Sequence, residues 1–282
     1  MVFLPKYANK NCSFPLRPQP LFSKENQDPK TREKIMNTLK IEQREGVTVL
    51  RLSNGVTNAI SPLMVDELSA VVAEIGRGSS PLVFAGNRKF FSMGFDLPTL
   101  LSLNRSAMSD YFYHFNEVTC RLLTLPVPVV GALAGHAVAG GYILTLTCDY
   151  RVAGSGRNIG LNEIKLGVPV PYLADLMLRQ IASGPTARRM LDEGNFVVTE
   201  DAERLGLVNE VEPPENTEAR AIRKARELGA LPGPAWAAIK ANRVESIQQP
   251  YEAAARRKNE IFLDCWFSDQ AQELLKEASR KF

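Results

Sequence analysis

Between Arg121 and Asp149 the chain runs for 27 residues without a formal charge. So long an uncharged stretch has to be buried, and that requirement limits the fold before anything else is considered. Its length is that of a membrane-spanning helix. Its content is not, because Pro126, Pro128, four glycines, His136 and three threonines interrupt it. The stretch reads instead as a buried strand, a tight turn and a buried helix. Continuous apolar strands of this kind belong to parallel sheets covered on both faces.

The flanking sequence continues the alternation. Strands are expected at residues 47–52, 81–85, 127–133 and 150–153, and helices at 62–75, 107–125 and 138–146. In the first helix Leu63, Val65, Leu68, Val71, Val72 and Ile75 recur near helical spacing, and Ser61 is placed to cap it before Pro62. The order β-α-β-α-β-α-β predicts an α/β fold with a parallel sheet and right-handed crossovers. Beyond about residue 170 the strand signals fade. Helices are expected at 172–181, 186–193, 200–205, 215–228, 234–246, 251–265 and 268–281, with 207–211 as a short strand or link. No internal repeat is visible.

Charge is unevenly placed. Of 34 Lys+Arg and 31 Asp+Glu, residues 1–35 hold seven basic and three acidic ones, which leaves the body near neutral. That balance excludes a dedicated nucleic-acid binder. Residues 1–35 also carry five of the 18 prolines and no apolar periodicity, so they read as a disordered or extended tail. The absence of an apolar h-region excludes a secretory signal in this tail. Its first 24 residues are basic, as in organelle transit peptides, but their prolines oppose an amphipathic helix. Met36, just before a strand-like stretch, is an alternative natural start. The expected compartment is the cytoplasm, with mitochondrion or peroxisome as alternatives; the terminal Arg-Lys-Phe is not a Ser-Lys-Leu signal. Cys12, Cys120, Cys148 and Cys265 lie far apart and form no metal-ligand spacing; the last three read as buried reduced thiols.

Three segments carry the candidate chemistry. Gly135-His-Ala-Val-Ala-Gly-Gly141 joins a strand to a helix, where glycines let backbone N–H groups approach a ligand and the helix presents its positive end. It has neither the dinucleotide nor the Walker spacing, and a close-packing turn without a ligand is the plain alternative. Lys89-Phe-Phe-Ser-Met-Gly-Phe-Asp-Leu97 offers a second such turn at Gly94, leaving the N–H of Phe95 free. Two convergent N–H groups form an oxyanion hole. Ile159-Gly-Leu-Asn-Glu-Ile-Lys-Leu-Gly-Val-Pro-Val-Pro171 sets Glu163 among Leu161, Ile164 and Leu166, surroundings that raise a carboxyl pKa and improve it as a base. A surface glutamate on a loop is the alternative there.

Together FFSMGFDL, GHAVAGGYILTLTCDYR and GLNEIKLGVPVP, in this order, resemble the crotonase (enoyl-CoA hydratase/isomerase) superfamily from about Ile41 to the C-terminus. The resemblance implies a crotonase-like (ClpP/crotonase) superhelix of stacked β-β-α turns, with a C-terminal helical region that supports trimers or paired trimers. It divides the chain into a tail at 1–38, a core for acyl-CoA binding and catalysis at 39–210, and a helical region at 211–282 that covers the pocket. It implies an acyl-CoA thioester substrate, no cofactor beyond the CoA the substrate carries, no metal, no nucleic acid and no membrane. Phe95 and Gly140 would supply the oxyanion-hole N–H groups, and Glu163 the acid/base. Asn58 and Ala59, in a loop that looks like the family's CoA-touching loop, would bind substrate. So would Ser92, Met93, Gly94, Asp96 and Leu97, and around the glycine turn His136, Gly141 and Ile143.

Hydratases of the family use two glutamates, and Ile143 stands at the first of those positions. The chain thus resembles the single-glutamate members, most of all the delta-3, delta-2-enoyl-CoA isomerases. Adding water needs one group to hold and deprotonate it and another to deliver a proton, whereas one carboxylate suffices to shuttle a proton between two carbons. The alternatives are a hydratase, another acyl-CoA reaction such as hydrolysis, decarboxylation or dehalogenation, or a non-catalytic acyl-CoA- or RNA-binding member. Elsewhere, His136 is expected to be structural and His114 to pack or line the acyl pocket. Asp96 should cap a helix, Asp149 should pair with Arg151, and Asn162 should orient Glu163. Lys240 and Arg243 should form a solvated helix face, with a CoA phosphate as the alternative partner.

Overall fold

The uncharged run becomes one strand, one short strand and one helix packed in the middle of the molecule. The computed structural model describes residues 32–280. In chain order the strands and helices begin with β1 (Arg32–Ile35), β2 (Leu39–Arg44), β3 (Val47–Leu52), α1 (Pro62–Ile75), β4 (Leu82–Ala85) and β5 (Phe90–Ser92). There follow α2 (Leu97–Leu100), α3 (Arg105–Leu123), β6 (Val129–Leu133), β7 (His136–Val138), α4 (Gly140–Leu146), β8 (Tyr150–Gly154) and β9 (Asn158–Gly160). A 3-10 turn (Glu163–Leu166) leads to α5 (Tyr172–Ile181), α6 (Gly184–Glu193), β10 (Val197–Val198) and α7 (Thr199–Arg204). The chain closes with β11 (Glu210–Glu212), α8 (Thr217–Gly229), α9 (Gly233–Trp266) and α10 (Asp269–Ser279).

The strands form two sheets. The larger has the order β1-β2-β3-β4-β6-β8-β11, parallel from β3 onward, with β1 and β2 added antiparallel. The smaller has the order β10-β9-β7-β5, with β5, β7 and β9 parallel. Every residue of β4 and β6 is buried, as a sheet covered on both faces requires. Side chains alternate between two cores: Val49, Val83 and Val130 pack under Ala221, Ile222 and Ala225 of α8, while Leu50, Phe84 and Val129 join the main core.

Each turn of the chain contributes a strand to the large sheet, a short strand to the small one and then a helix or 3-10 turn: β4-β5-α2, β6-β7-α4 and β8-β9-Glu163. A parallel bridge between Ile60 and Phe95 adds the turn after β3 to the same ladder. The fold is therefore the α/β superhelix of stacked β-β-α turns. Sequence periodicity does not reveal β5, β7 and β9, because three residues are too few to show alternation.

One expectation needs correction near the N-terminal boundary. Residues 32–38 are ordered chain, since β1 pairs with β2 and Thr38 is buried. Glu67 holds this corner, accepting hydrogen bonds from Asn37 N and Nδ2 and from Thr38 N and Oγ1. The expectation for residues 1–31 lies outside the described residues. β2 is the strand-like stretch expected just after Met36, with its apolar positions Leu39 and Ile41 on the buried face.

The C-terminal region differs as well. Where two helices are expected on either side of Pro250, α9 is continuous. Proline lacks the N–H that a helix interior uses, at a cost of about 3 kcal/mol. Tertiary packing outweighs it. Lys240, Val244, Ile247 and Tyr251 are buried before or just after the proline, and Phe262, Leu263 and Trp266 beyond it, with α9 seated on α5 and α3. Phe262 stacks on Phe112 at 3.9 Å between ring centroids. No helix among the described residues is long and apolar enough to cross a membrane.

Asp149 does not pair with Arg151, whose guanidinium donates to the carbonyls of Cys148 and Leu207. Instead Asp149 accepts from Val129 N (2.8 Å), from the Lys240 ammonium (2.8 Å) and from Arg243. Lys240 and Asp149 are each almost wholly buried, so Lys240 is no part of a solvated face. This ion pair fastens α9 to the start of β6. Asp149→Ala should cost about 3–5 kcal/mol in urea unfolding, because it leaves the Lys240 charge buried and uncompensated. The double variant Asp149→Asn/Lys240→Met should lose much less. A single-variant loss below about 1 kcal/mol would show that the pair behaves as a surface contact.

Candidate active site

Two strand-to-helix turns meet at the edge of the small sheet. In the first, Ser92 Oγ donates to Asn58 O and accepts from Gly94 N, which fixes the sharp exit from β5. Gly94 has φ +98°, a conformation open to glycine at little cost. Ile60 then donates to Gly94 O and accepts from Asp96 N. In such a parallel bridge the residue between those two bonds turns its own N–H the other way. That residue is Phe95, and its N–H meets no acceptor among the described residues.

In the second turn, Gly140 opens α4. The first N–H groups of a helix have no intrahelical acceptor, and here the helical bonding begins with Ile143 N to Ala139 O at 3.0 Å. Ala139 precedes it at φ 49°, ψ −131°, anchored by Ala139 N to Gly160 O at 2.8 Å. The two turns press together. A Cβ on Gly94 would lie 2.9 Å from Ala139 Cβ and 3.0 Å from Gly140 N. One on Gly141 would lie 2.3 Å from Ser92 O. Only glycine backbone permits this approach, which sets Gly94 against Gly140.

Glu163 opens the 3-10 turn after β9 and is 6% exposed. The turn ends at Gly167, whose left-handed conformation lets α10 pack down on it at Ala271. Burial raises the Glu163 carboxyl to about 7, against backbone hydrogen bonds from Glu163 and Asn162 that pull it down. Its Oε2 has no hydrogen-bond partner, nor does the buried Oδ1 of Asn162.

These groups share a cavity of about 240 Å3. Met93, Phe95, Leu97, Val138, Ala139 and Gly140 wall one side of it, and Asn162, Glu163, Leu166, Val168 and Pro171 another. Phe262 and Trp266 of α9, Leu275 and Ala278 of α10, and Phe196 complete it. Glu163 is the only carboxylate among these wall residues. A poised base, two free N–H donors and an apolar lining can take a proton from carbon next to a carbonyl and hold the resulting oxyanion. Among the described residues no group of three or more His, Cys, Asp or Glu stands together to hold a metal ion.

Of the residues expected at the site, Met93, Phe95, Leu97, Gly140 and Glu163 wall the cavity, with Gly94 and Gly141 in close contact behind them. Others stand back from it. Asn58 is fully buried and donates to Phe90 O and Phe91 O, tying its loop to β5, while Ala59 O accepts from Asn54. Ser92 shapes the turn. Asp96 caps α2 by accepting from Thr99. His136 accepts from Asn158 N through Nδ1 and is held below the usual histidine range by burial and by Arg157. Ile143 packs in the main core rather than on the cavity wall. His114 faces Asp66 at 3.8 Å in a separate cleft, not the cavity that holds Glu163.

Sequence reasoning missed Phe196, Phe262, Trp266, Leu275 and Ala278. The spacings 262/266 and 275/278 mark one helical face each, but nothing local says what those faces cover. Phe196 follows Gly194-Asn195 in a stretch without periodicity.

Residues 42–280 match the family described as enoyl-CoA hydratase/isomerase. A probable enoyl-CoA hydratase, EchA17, of Mycobacterium tuberculosis is 30% identical over 215 residues, covering 75% of this chain and 80% of that protein. Enoyl-CoA delta isomerase 3 of Arabidopsis thaliana is 31% identical over 180 residues, covering 60% of this chain and 74% of that protein. The crystal structure of human mitochondrial delta3-delta2-enoyl-CoA isomerase superposes with a TM-score of 0.80 at 23% identity, covering 89% of this chain and 97% of that one, a likeness of fold.

Burying Glu163 has a consequence for stability. Its folded carboxyl titrates near 7 and a free one near 4.5, so the native state holds the proton more tightly. Stability therefore falls as pH rises from about 4.5 to about 7 and is level above, by on the order of 3 kcal/mol in all. Glu163→Gln removes this dependence. The variant should melt above the parent at pH 8, and the gap should close by pH 4.5. An equal gap at both pH values would mean that Glu163 is not buried as a strained carboxylate.

Proposed function

The chain belongs to the enoyl-CoA hydratase/isomerase family, and we propose that within it the protein is an isomerase that converts a 3-enoyl-CoA into the 2-trans-enoyl-CoA. The observation that carries this reading is that Glu163 is the only carboxylate on the cavity wall. Ile143 stands where the resemblance puts the first of the two glutamates of hydratases, and it packs into the core.

The reaction needs no other group. The thioester oxygen rests on the N–H groups of Phe95 and Gly140. Glu163 removes a proton from C2; that bonding pair forms C1=C2 while the carbonyl pair moves to oxygen. The dienolate charge is held by the two N–H donors. Collapse of the oxyanion restores the carbonyl, C1=C2 becomes C2=C3, and the former C3=C4 pair takes the proton back from Glu163 at C4. One proton leaves and one returns, so atoms balance without water. A carboxyl near 7 gives up and recovers a proton with similar ease at neutral pH. Val138, Leu166, Val168, Phe262 and Trp266 keep water from the dienolate.

The test is an assay with 3-trans-hexenoyl-CoA, following conjugated thioester by absorbance and analysing products by chromatography. The 2-trans-enoyl product should accumulate without 3-hydroxyacyl-CoA. Accumulation of 3-hydroxyacyl-CoA from 2-trans-hexenoyl-CoA at a comparable rate would make the enzyme a hydratase. Glu163→Gln should lower kcat about a thousandfold while hexanoyl-CoA still binds.

The pH profile provides a further prediction. Because the base must be ionised, kcat/KM should rise with pH, reach half its limit near 7, and level off above. A profile flat from pH 5 to 8 would exclude Glu163 as the base.

A further inference from the structure

The N–H of Phe95 belongs to the same peptide as Gly94 O, and in a trans peptide the two point opposite ways. Whatever holds Gly94 O therefore aims the N–H. Ile60 N holds it at 2.8 Å, and Ile60 O accepts from Asp96 N at 3.2 Å, so Ile60 grips the backbone on both sides of Phe95. Ile60 is not part of a strand. It lies in the connection from β3 to α1, and among the described residues this isolated bridge is its one pairing.

A third group reaches Ile60 from α3. The Tyr111 hydroxyl donates to Ile60 O at 2.9 Å, in a buried bond between residues 51 apart in the chain. The Tyr111 ring also lies edge-on to the Phe95 ring, with centroids 5.3 Å apart and planes at 78°. Tyr111 thus acts on Phe95 twice. Its ring packs the side chain, and its hydroxyl fixes the residue that holds the backbone. Burial, with the Asp96 charge nearby, pushes this hydroxyl well above its ordinary range, so it keeps its proton and stays a donor. A buried tyrosine needs a partner for its hydroxyl. Phenylalanine would serve the ring packing equally well; only the bond to Ile60 calls for tyrosine.

We propose that Tyr111 is a positioning residue for the oxyanion hole: its hydroxyl, acting through Ile60, fixes the direction of the Phe95 N–H. The proposal rests on the reading of Phe95 and Gly140 as donors to a thioester oxygen. It does not require that the reaction be an isomerisation.

The test is Tyr111→Phe, which removes one oxygen and keeps the ring. Hexanoyl-CoA carrying 13C at C1 is bound to the full chain, and its carbonyl stretch is isolated by isotope-edited infrared difference. In the parent the stretch should fall below its value in water, because two aimed donors polarise the carbonyl more than solvent does. Tyr111→Phe should lose about half of that downshift, since one of the two donors loses its aim. Losing a donor outright costs about a hundred- to a thousandfold in kcat, so misaiming one should cost about tenfold. The dissociation constant of hexanoyl-CoA should stay within about threefold of the parent's, because the hole acts mainly on the transition state. Thr119→Val removes another buried hydroxyl from α3, one that donates to Phe115 O, and should leave downshift and kcat at the parent's values. A downshift unchanged in Tyr111→Phe, or lost equally in Thr119→Val, would overturn the proposal. A parent that binds the thioester without any downshift would instead overturn the oxyanion-hole reading itself.

Discussion

The contact between the Gly94 and Gly140 turns is the constraint on which the rest of the site depends. Two backbones meet where a single Cβ on Gly94 or Gly141 would fall within 2.9 Å of a neighbouring atom. That approach sets Phe95 against Gly140 at the end of β5, where the pairing with β7 shifts register, and both N–H groups are without backbone partners among the described residues. The large sheet behind supplies the rigidity. β4 and β6, buried on both faces, carry the turns into position, and little about them is free to move.

Two glutamates show how this frame assigns different roles to one side chain. Glu67 and Glu163 are exposed to nearly the same small degree. Burial alone would raise both. At Glu67 the donors of Asn37 and Thr38 outweigh it and hold the carboxyl below its usual range, so it stays a charged clamp on the β1–β2 corner. At Glu163 only backbone N–H groups oppose burial, one oxygen has no partner, and the carboxyl sits near 7. Unmet hydrogen-bonding capacity is costly in a core. Where it also faces a cavity, it becomes basicity.

The fold and the site differ in how far the amino acids announce them. β3, β4, β6 and β8 are legible because each is a continuous apolar run, and Phe95, Gly140 and Glu163 because their segments are distinctive in type and spacing. The short strands of the small sheet are not, since three residues carry no period. Pro250 misleads, because a local rule against proline in helices is outvoted by buried side chains along the whole helix, from Lys240 to Trp266. Asp149 misleads for a related reason: Arg151 is its near neighbour in sequence, whereas Lys240 reaches it only once α9 has docked. The cavity roof fails to show for the same cause. Phe262 and Trp266 advertise a buried face, but what they bury is decided by α10 and by a turn a hundred residues earlier.

Ala139 is where the frame holds its strain. A residue with a side chain at φ 49°, ψ −131° costs on the order of 1–3 kcal/mol. Glycine would adopt this conformation freely, so the presence of alanine calls for a physical reason. Its methyl group supplies one. The Ala139 Cβ occupies the space that a Cβ on Gly94 would need, and Ala139 belongs to the cavity wall beside Gly140. A glycine there would relieve the strain, but it would leave a void between the two turns and free the peptide that carries the Gly140 N–H. A donor that must meet charge at a fixed point gains from a backbone with few alternatives. The strain at Ala139 is thus tied to the openness at Gly94: one residue gives up its side chain so that the other can keep its own.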